Sequence, residues 1–453
     1  MDVTLREVAF PTETLPTAAP QIMAAEHISR VQTLYERSEV DWVIVYGDRE
    51  HNANLLFLSG YDPRFEEALL LIGPGQTYFM VVGNEGQSYV PLTTPWITPL
   101  LCQSLSLLGQ PRDTAAQLLK VLAEAGISSG ASVGVVGWKY LEDSESDDVV
   151  SPAYVPAYMV QVLKKLVGGT GKVIDVTAAM MHPGNGLRAS NSAAQIAVFE
   201  YAAMRASANV FRMLNGTHPG MREYDAVANM RYEGDPLSAH VMYATGKSTI
   251  VGLRSPTERL IELGDGVTTA VSYWGSLVCR AGMIMEVPDT GFFNAYAAPY
   301  FRVMATWYQT LRIGAAGGEI YDVVTKAFGD APFGSALNPG HLVSYDEWVN
   351  TPIRPNSQEH LTSGMALQSD IIPAPLPAGL CLNCEDTLVL ADTALRQEIA
   401  NTNPDMWRRM QVRRNFMRDQ LGINLAEDVL PLSKAPAYLP PFWLLNNHVC
   451  VVQ

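Results

Sequence analysis

Residues 264 to 280 of the chain read GDGVTTAVSYWGSLVCR, and this run predicts a pair of β-strands. Between Asp265 and Glu286 the chain has no acidic residue. The side chains of this strand pair therefore offer no carboxylate oxygen, which is the ligand type that hard divalent cations prefer. A metal centre at this position would receive no carboxylate ligand from the strand pair.

Length, composition and charge limit the classes to which the protein can belong. The chain has 453 residues, of which 48% are hydrophobic, and this predicts two domains that each bury a sizeable core. The formal net charge is −15 at pH 7. A chain this acidic repels a phosphate backbone, so nucleic acid is excluded as a partner.

The N-terminus and the cysteines indicate the compartment. Residues 1 to 7 (MDVTLRE) lack the basic start and apolar core of a signal peptide, and no uninterrupted apolar run is long enough to span a membrane. The five cysteines are an odd number spread along the chain, which favours free thiols in a reducing compartment. We therefore expect a cytoplasmic protein with no membrane partner. Cys381 and Cys384 form a C-x-x-C without a second ligand pair and are expected to be buried strand residues.

The order of predicted elements divides the chain in two. Residues 41–46 and 131–137 read as buried strands, and residues 67–72 and 78–82 read as a hairpin, so the first domain is expected to be α/β with a mixed sheet. A long helical pattern from Ser192 to Leu214 opens the second domain. We place the domains at residues 1–188 and 189–453.

Five short motifs show a family resemblance. The chain resembles creatinase, prolidase and aminopeptidase P in residues 58–67 (LSGYDPRFEE), 259–265 (RLIELGD), 338–342 (NPGHL), 363–367 (SGMAL) and 384–387 (CEDT). The resemblance implies a creatinase-like α/β domain followed by the α+β pita-bread fold, usually assembled as a homodimer. It also favours an enzyme, namely a hydrolase.

In metal-dependent members of this family, two Asp, one His and two Glu hold a pair of divalent ions. By resemblance, His341 matches the His and Glu385 the last Glu, and Asp370 stands where the other Glu belongs. The two Asp positions fall near Ala270 and Leu277. We therefore expect no metal and no other cofactor, with His341, Asp370 and Glu385 as the catalytic candidates.

Creatinase shows that this fold can hydrolyse a C–N bond without metal, with a His as acid and base. The position that matches its catalytic His is Leu253, and its second-strand Glu has no counterpart near Leu277. The remaining His341 could form an acid–base cluster with Asp370 and Glu385, because carboxylates raise the pKa of an imidazole. The alternative is that these three residues form an inherited buried network.

Three arginines are candidates for binding a substrate carboxylate. Arg254 is interpreted as a substrate ligand. Arg280 could bind substrate or form a salt bridge with Asp370 or Glu385. Arg64 resembles an arginine that the neighbouring creatinase subunit contributes to the site, although it could simply pair with an adjacent surface glutamate.

Four further residues have a functional and a structural interpretation. Tyr273 and Trp274 could form an aromatic wall for the substrate or pack in the core. Cys279 could be a nucleophile activated by the neighbouring arginine, or a core residue. His240 could border the site, although a structural role fits it better.

Three functional hypotheses remain open from the sequence. The first is a metal-independent, creatinase-like hydrolase of a C–N bond in a small carboxylate-bearing substrate. The second is a catalytically inactive pita-bread protein that binds a metabolite or partner. The third is an Xaa-Pro aminopeptidase- or prolidase-like metallopeptidase with a reduced metal site.

Overall fold

The strand pair predicted at residues 264 to 280 is an antiparallel hairpin, which we call the site hairpin. In the computed structural model, which describes residues 1–114, 116–248 and 252–453, its strands are Gly266–Tyr273 and Ser276–Met283. Gly275 makes the turn with φ of 112°, and an added Cβ there would meet Phe199 Cδ1 at 2.4 Å. Only glycine fits this turn, because a side chain would be strained by the backbone and would clash with the neighbouring helix.

The described chain forms two compact units. One contains residues Ile22–Arg188, and the other combines Met1–Gln21 with Ala189–Gln453. The division of the domains at residue 188 stays a prediction. None of the helices in the described ranges is both long enough and apolar enough to cross a bilayer.

The unit Ile22–Arg188 contains a mixed six-stranded sheet, as the sequence predicts. Its central strand Trp42–Gly47 is buried throughout and pairs antiparallel with one neighbour and parallel with the other. In spatial order the strands are Thr98–Leu101, Thr77–Val82, Ala68–Gly73, Trp42–Gly47, Ser132–Val136 and Lys172–Asp175. The α-helices of this unit are Ala24–Ser38, Ala53–Ser59, Gly86–Thr93, Leu118–Ala125, Ala157–Val167 and Ala178–Met181.

The second unit contains two four-stranded sheets. The sheet that holds the site hairpin has the order Asn383–Glu385, Ser276–Met283, Gly266–Tyr273 and Met242–Gly246. The other sheet has the order His341–Leu342, Ala366–Gln368, Thr387–Leu390 and Val429–Pro431. Two shorter ladders pair Val3–Glu7 with His448–Val452 and Gly334–Ser335 with Pro373–Ala374.

A long helix, Ala193–Gly216, packs against the site hairpin. Ser192 caps it by accepting a hydrogen bond from the Gln195 amide, so the helix begins where the sequence predicts. Val210 and Leu214 pack in one apolar cluster with Val271 and Val278 of the hairpin. The side of the hairpin that faces this helix is thereby closed, and its other face remains for a cavity.

Two further long helices belong to this unit. They are Ala298–Thr310 and the Arg-rich helix Pro404–Asp419. The other α-helices of this unit are Glu223–Ala228, Thr290–Phe292, Gly317–Ala327 and Thr393–Thr402. Arg413 on the Arg-rich helix is fully buried and pairs with Glu13 and Glu200, so the N-terminal segment is tied to this unit.

Candidate active site

A cavity of about 530 Å³ lies on the open face of the site hairpin. Its floor is formed by alternate residues of the sheet, including Thr268, Ala270, Leu277 and Cys279. Residues 372–382, which we call the cavity loop, contribute most of the facing wall. The volume suits a small organic molecule rather than a folded partner.

The floor of the cavity is apolar where a metal centre would need carboxylates. Successive residues of a strand point to opposite faces, so Ala270 and Leu277 both face the cavity, as the alignment by resemblance implies. The direct cross-strand neighbour of Ala270 is Cys279 rather than Leu277. Within the described hairpin, no acidic side chain faces the cavity. The acidic side chain beside it is that of Glu385, which lies directly across from Cys279 on the neighbouring strand and lines the cavity.

Four ionisable side chains meet at one end of the cavity, and we call them the acid cluster: His341, Glu347, Asp370 and Glu385. His341 Nε2 lies 2.9 Å from Glu347 Oε1 and 3.7 Å from Asp370 Oδ2. The imidazole Nδ1 lies 3.1 Å from the Leu342 carbonyl oxygen, which as an acceptor requires a proton on Nδ1. His341 has no exposed surface, whereas the three carboxyl groups line the cavity. The imidazole therefore acts on the cavity through the carboxylates.

The surroundings of the cluster favour protonated states. Burial is the largest single effect on His341 and lowers its pKa, but Glu347, Asp370 and the Leu342 carbonyl together outweigh burial, and the net pKa is raised. Burial raises the pKa of Asp370 to about 6, and the attraction of His341 only partly opposes this. Burial, followed by repulsion from Asp370 and Glu347, raises the pKa of Glu385 well above its usual value. Both shifts favour the protonated carboxyl group, which can donate a hydrogen bond, over the carboxylate.

Glu347 is a site residue that the sequence reasoning did not identify. It lies in the loop after the Gly-His motif, beside Trp348, whose ring stacks on His341 at a centroid distance of 4.1 Å. Both residues line the cavity. The only signal in the sequence is an acidic residue next to an aromatic one shortly after His341, and such a pair has no periodic pattern that would place it in space.

Arg280 does not reach the cavity. It follows Cys279 on the strand, so it points to the opposite face and is fully buried there. Its Nη2 lies 2.9 Å from Asp386 Oδ2, and its Nε donates to the Tyr438 carbonyl over 2.7 Å. The prediction that Arg280 binds substrate is wrong. A salt bridge was the alternative, but its partner is Asp386 instead of Asp370 or Glu385.

Arg254 also serves the structure rather than the cavity. Its Nη2 donates to Glu223 Oε1 over 3.0 Å, and the Thr245 and Thr257 hydroxyls donate to the same buried carboxylate. Leu253 next to it does line the cavity, with 70% of its surface exposed. The predicted role of Arg254 as a substrate ligand is therefore corrected to that of a partner for Glu223.

Tyr273 and Trp274, at the turn end of the hairpin, are predicted to line the cleft but make structural contacts instead. Tyr273 is buried in the cluster between the hairpin and the long helix, where its hydroxyl accepts a hydrogen bond from Asn209. Trp274 packs edge-on against Tyr345 at 6.2 Å. The prediction of an aromatic wall made by Tyr273 and Trp274 is wrong, because the aromatic residue that lines the cavity is Trp348.

The cysteine and histidine candidates follow their structural interpretations. Cys279 lines the cavity, but burial and then Glu385 raise the pKa of its thiol well above the usual value, so it is not poised as a thiolate. Cys381 and Cys384 are free and buried. His240 is exposed, and its Nε2 lies 2.8 Å from the Leu253 carbonyl oxygen.

Arg64 belongs to the unit Ile22–Arg188. Its guanidinium forms an ion pair with Asp62. It also lines a separate cavity of about 420 Å³, together with Tyr61, Phe65, Glu66, Glu85, Gly86 and Tyr89.

The residues present do not fit the two-ion centre that the fold family implies. Two adjacent divalent ions need several bridging oxygen ligands. Ala270 and Leu277 offer none, and Cys279 is held as a thiol. Across the described ranges, no three or more His, Cys, Asp or Glu side chains are arranged so that they could hold a metal ion.

Comparison with known proteins agrees with this fold. No protein-family model and no curated protein sequence matches the chain. An Xaa-Pro dipeptidase from Bacillus anthracis has a similar structure, with a TM-score of 0.62 and 15% identity over 82% of this chain and 96% of its own. The prolidase from Thermococcus sibiricus matches with a TM-score of 0.65 and 13% identity over 92% and 99% of the two chains.

The X-Pro aminopeptidase from Thermotoga maritima MSB8 is similar in the same way. Its TM-score is 0.63, with 13% identity over 81% of this chain and 95% of its own. Identities this low establish the fold alone. The predicted pita-bread fold, with mixed α and β content and a two-domain layout, is confirmed.

Proposed function

Because the chain has the pita-bread fold of prolidases and Xaa-Pro peptidases, we propose that it is a peptidase-like hydrolase of a C–N bond in a small substrate. The acid cluster would take the place of the two-ion centre. The observation that carries the proposal is the 2.9 Å approach of His341 Nε2 to Glu347 Oε1 at the end of a cavity of about 530 Å³. A carboxylate held by an imidazole and a second, protonated carboxyl group form the pair that general acid–base hydrolysis requires.

The roles of the cluster follow from which groups touch the cavity. Glu347 would accept a proton from water as the water oxygen bonds to the electrophilic carbon. Glu385 would donate its proton to the departing nitrogen as the C–N bond breaks, which leaves a free amine and a carboxylic acid. The Glu347 proton then returns to Glu385 or to solvent. His341 is a positioning residue, since it is buried and reaches the substrate only through Glu347 and Asp370.

The sequence hypothesis expects a carboxylate-bearing substrate, but the lining of the cavity does not suit one. Its described lining contains Glu347, Asp370 and Glu385 but no arginine or lysine. Arg254 and Arg280, the intended anion ligands in this unit, pair with Glu223 and Asp386. An anion would meet the Glu347 and Asp370 carboxylates with only the buried His341 to offset their charge, so the proposal does not include a substrate carboxylate.

A pita-bread protein that binds a ligand without turnover is the second candidate. The apolar side chains of Ala270 and Leu277 favour it, because they line the cavity where metal-dependent relatives hold ligands. The third candidate is a metallopeptidase with a reduced metal set, which agrees with the activities named for the similar structures. The donor groups described above do not fit that third candidate.

Turnover after metal removal tests the proposal. The purified protein, treated with chelator, is incubated with a panel of Xaa-Pro dipeptide amides and small N-acyl amines, and amine release is measured. We expect turnover that survives chelation, is lost in Glu347→Gln and is retained in Glu262→Gln, which removes an exposed carboxylate paired with Lys247. Turnover that depends on added Mn²⁺, Co²⁺ or Zn²⁺ would contradict the proposal in favour of a metallopeptidase.

The homodimer expected from the family resemblance remains part of the proposal. Phe65 is largely exposed beside Arg64, which is the residue expected to complete a neighbouring subunit's site. Light scattering on the purified chain measures the mass directly. A monomer would remove Arg64 from any account of the site.

A further inference from the structure

The lining of the cavity combines acidic groups with a largely apolar floor. Glu347, Asp370 and Glu385 are the only charged side chains in its described lining, and Glu385 lies directly across from the floor residue Cys279 on the neighbouring strand. The floor is apolar and includes Met242, Ala270, Leu277, Cys279 and Ala281. A ligand that satisfies both parts needs a positive charge at one end and a hydrocarbon body.

One atom of the acid cluster points to a ligand independently of the charge count. Asp370 is only 4% exposed and lines the cavity, and among the described residues its Oδ1 has no hydrogen-bond partner. Its other oxygen lies 3.7 Å from His341 Nε2, a distance too long for a hydrogen bond. A buried carboxyl oxygen without a donor is costly, so Oδ1 is suited to receive an N–H from a bound molecule.

We propose that the cavity binds an apolar organic amine, with its ammonium group at Glu347, Asp370 and Glu385 and its hydrocarbon body on the floor at Ala270 and Leu277. The hydrocarbon would thus occupy the place where metal-dependent relatives hold ions. The inference deepens the proposed function and rests on it for the identity of the reaction, since the amine would be the amino part of the substrate or the released product.

The apolar floor predicts how the affinity for an amine should change with the length of its hydrocarbon chain. Burying one methylene group tightens binding about fourfold, because its transfer from water is worth about 0.8 kcal/mol. Affinity should therefore rise by about this factor for each carbon added to a linear amine until the cavity is full. Leu277 and Ala270 present no polar atom that would interrupt this series.

Calorimetric titration with three matched ligand series tests the inference. Linear alkylamines, alkanols and alkanoates of equal chain length are titrated into the chelator-treated full-length protein at neutral pH. We expect the amines to bind most tightly, with the stepwise increase in affinity, the alkanols to bind at least tenfold more weakly, and the alkanoates not to bind. Alkanols or alkanoates that bind as tightly as amines would overturn the inference.

Variants assign the two ends of the site. Asp370→Asn and Glu347→Gln should each weaken amine binding at least tenfold and leave alkanol binding unchanged, which also shows that the cavity is intact. Ala270→Phe should weaken the long amines more than the short ones. Glu262→Gln, which removes a carboxylate far out on the surface, should change neither series. Amine affinity that is the same in Glu347→Gln and Asp370→Asn as in the unaltered protein would overturn the inference.

The two proposals fail in different ways. Amine binding without hydrolysis of any C–N substrate would support the inference and contradict the proposed function. Hydrolysis without amine binding would do the reverse.

Discussion

Ala270 lies directly opposite Cys279 across the site hairpin, and both side chains face the cavity. In the family that the motifs resemble, this hairpin supplies aspartates to a pair of ions. Here it supplies a methyl group and a buried thiol whose pKa is raised well above the usual value by burial and then by Glu385. The same fold therefore presents an apolar floor, and the ionisable groups that remain lie to one side of it.

Restoring carboxylates to this pair should create a dependence on metal. In Ala270→Asp with Cys279→Asp, two new acids would be buried beside Glu385, and several kcal/mol of stability should be lost because buried like charges lack compensation. Added Mn²⁺ should recover part of the melting temperature, because an ion that binds only the folded state stabilises it. The unaltered protein is the control. An equal Mn²⁺ shift in both proteins would show that the aspartates are not needed to bind the ion.

Removing Arg280 should be strongly destabilising. Its guanidinium is fully buried against Asp386, and Arg280→Met leaves that carboxylate without its cation, which costs about 3–5 kcal/mol. Urea unfolding measures the change. The matched control is Arg222→Ala, which breaks an exposed pair with Asp225 and should change the stability far less. Similar losses in the two variants would mean that the buried ion pair is not the cause.

Stability should fall as pH rises through the range in which the acid cluster loses protons. Burial raises the pKa of Asp370 from 3.8 to about 6, so the folded state binds more protons than the unfolded state in this window. The stabilisation from this group is complete below pH 3.8 and is lost as the pH rises through about 6. His341 and Glu385, whose pKa values are also raised, extend the decline to higher pH.

Urea unfolding of the unaltered protein and of Asp370→Asn, between pH 4.5 and pH 8, checks this prediction. The free energy of unfolding should decrease less steeply with pH in the variant, because the amide does not titrate. His341 faces Asp370 directly, and its raised pKa and that of Glu385 contribute to the slope that remains in the variant. Parallel curves for the two proteins would mean that Asp370 does not take up a proton on folding.

The hairpin turn should accept no residue but glycine. Gly275→Ala combines a positive φ with a Cβ that would approach Phe199 Cδ1 to 2.4 Å, and the loss should be about 2–4 kcal/mol. Gly109 also has a positive φ, of 84°, but an added Cβ there meets open space. Gly109→Ala should therefore cost only about 1 kcal/mol of backbone strain. Thermal unfolding compares the two, and equal shifts would show that the contact with Phe199 is unimportant.

The sequence predicts the fold and the apolar floor, because both depend on local periodicity and ordered motifs. The alternation of a strand places Ala270 and Leu277 on one face once the hairpin is recognised. The same alternation places Arg280 on the face opposite the cavity, since Arg280 follows Cys279 directly. The suitability of a guanidinium for binding a carboxylate led to the wrong face.

The residues that the sequence could not place lie in loops or depend on distant partners. Glu347 reaches His341 through a loop whose path has no pattern in the sequence. Arg254 is held by Glu223, a residue 31 positions earlier in the chain. Such contacts depend on tertiary packing, so one sequence without relatives for comparison gives no signal for them.

The central claim is that the acid cluster works without a two-ion centre, and metal content tests it most directly. Elemental analysis is made on the purified protein before and after incubation with Mn²⁺, Co²⁺ and Zn²⁺, and on His341→Ala treated identically. The account predicts metal far below stoichiometry in every sample, with no difference between the two proteins. Near-stoichiometric metal that is lost in His341→Ala would contradict it and identify a metallopeptidase.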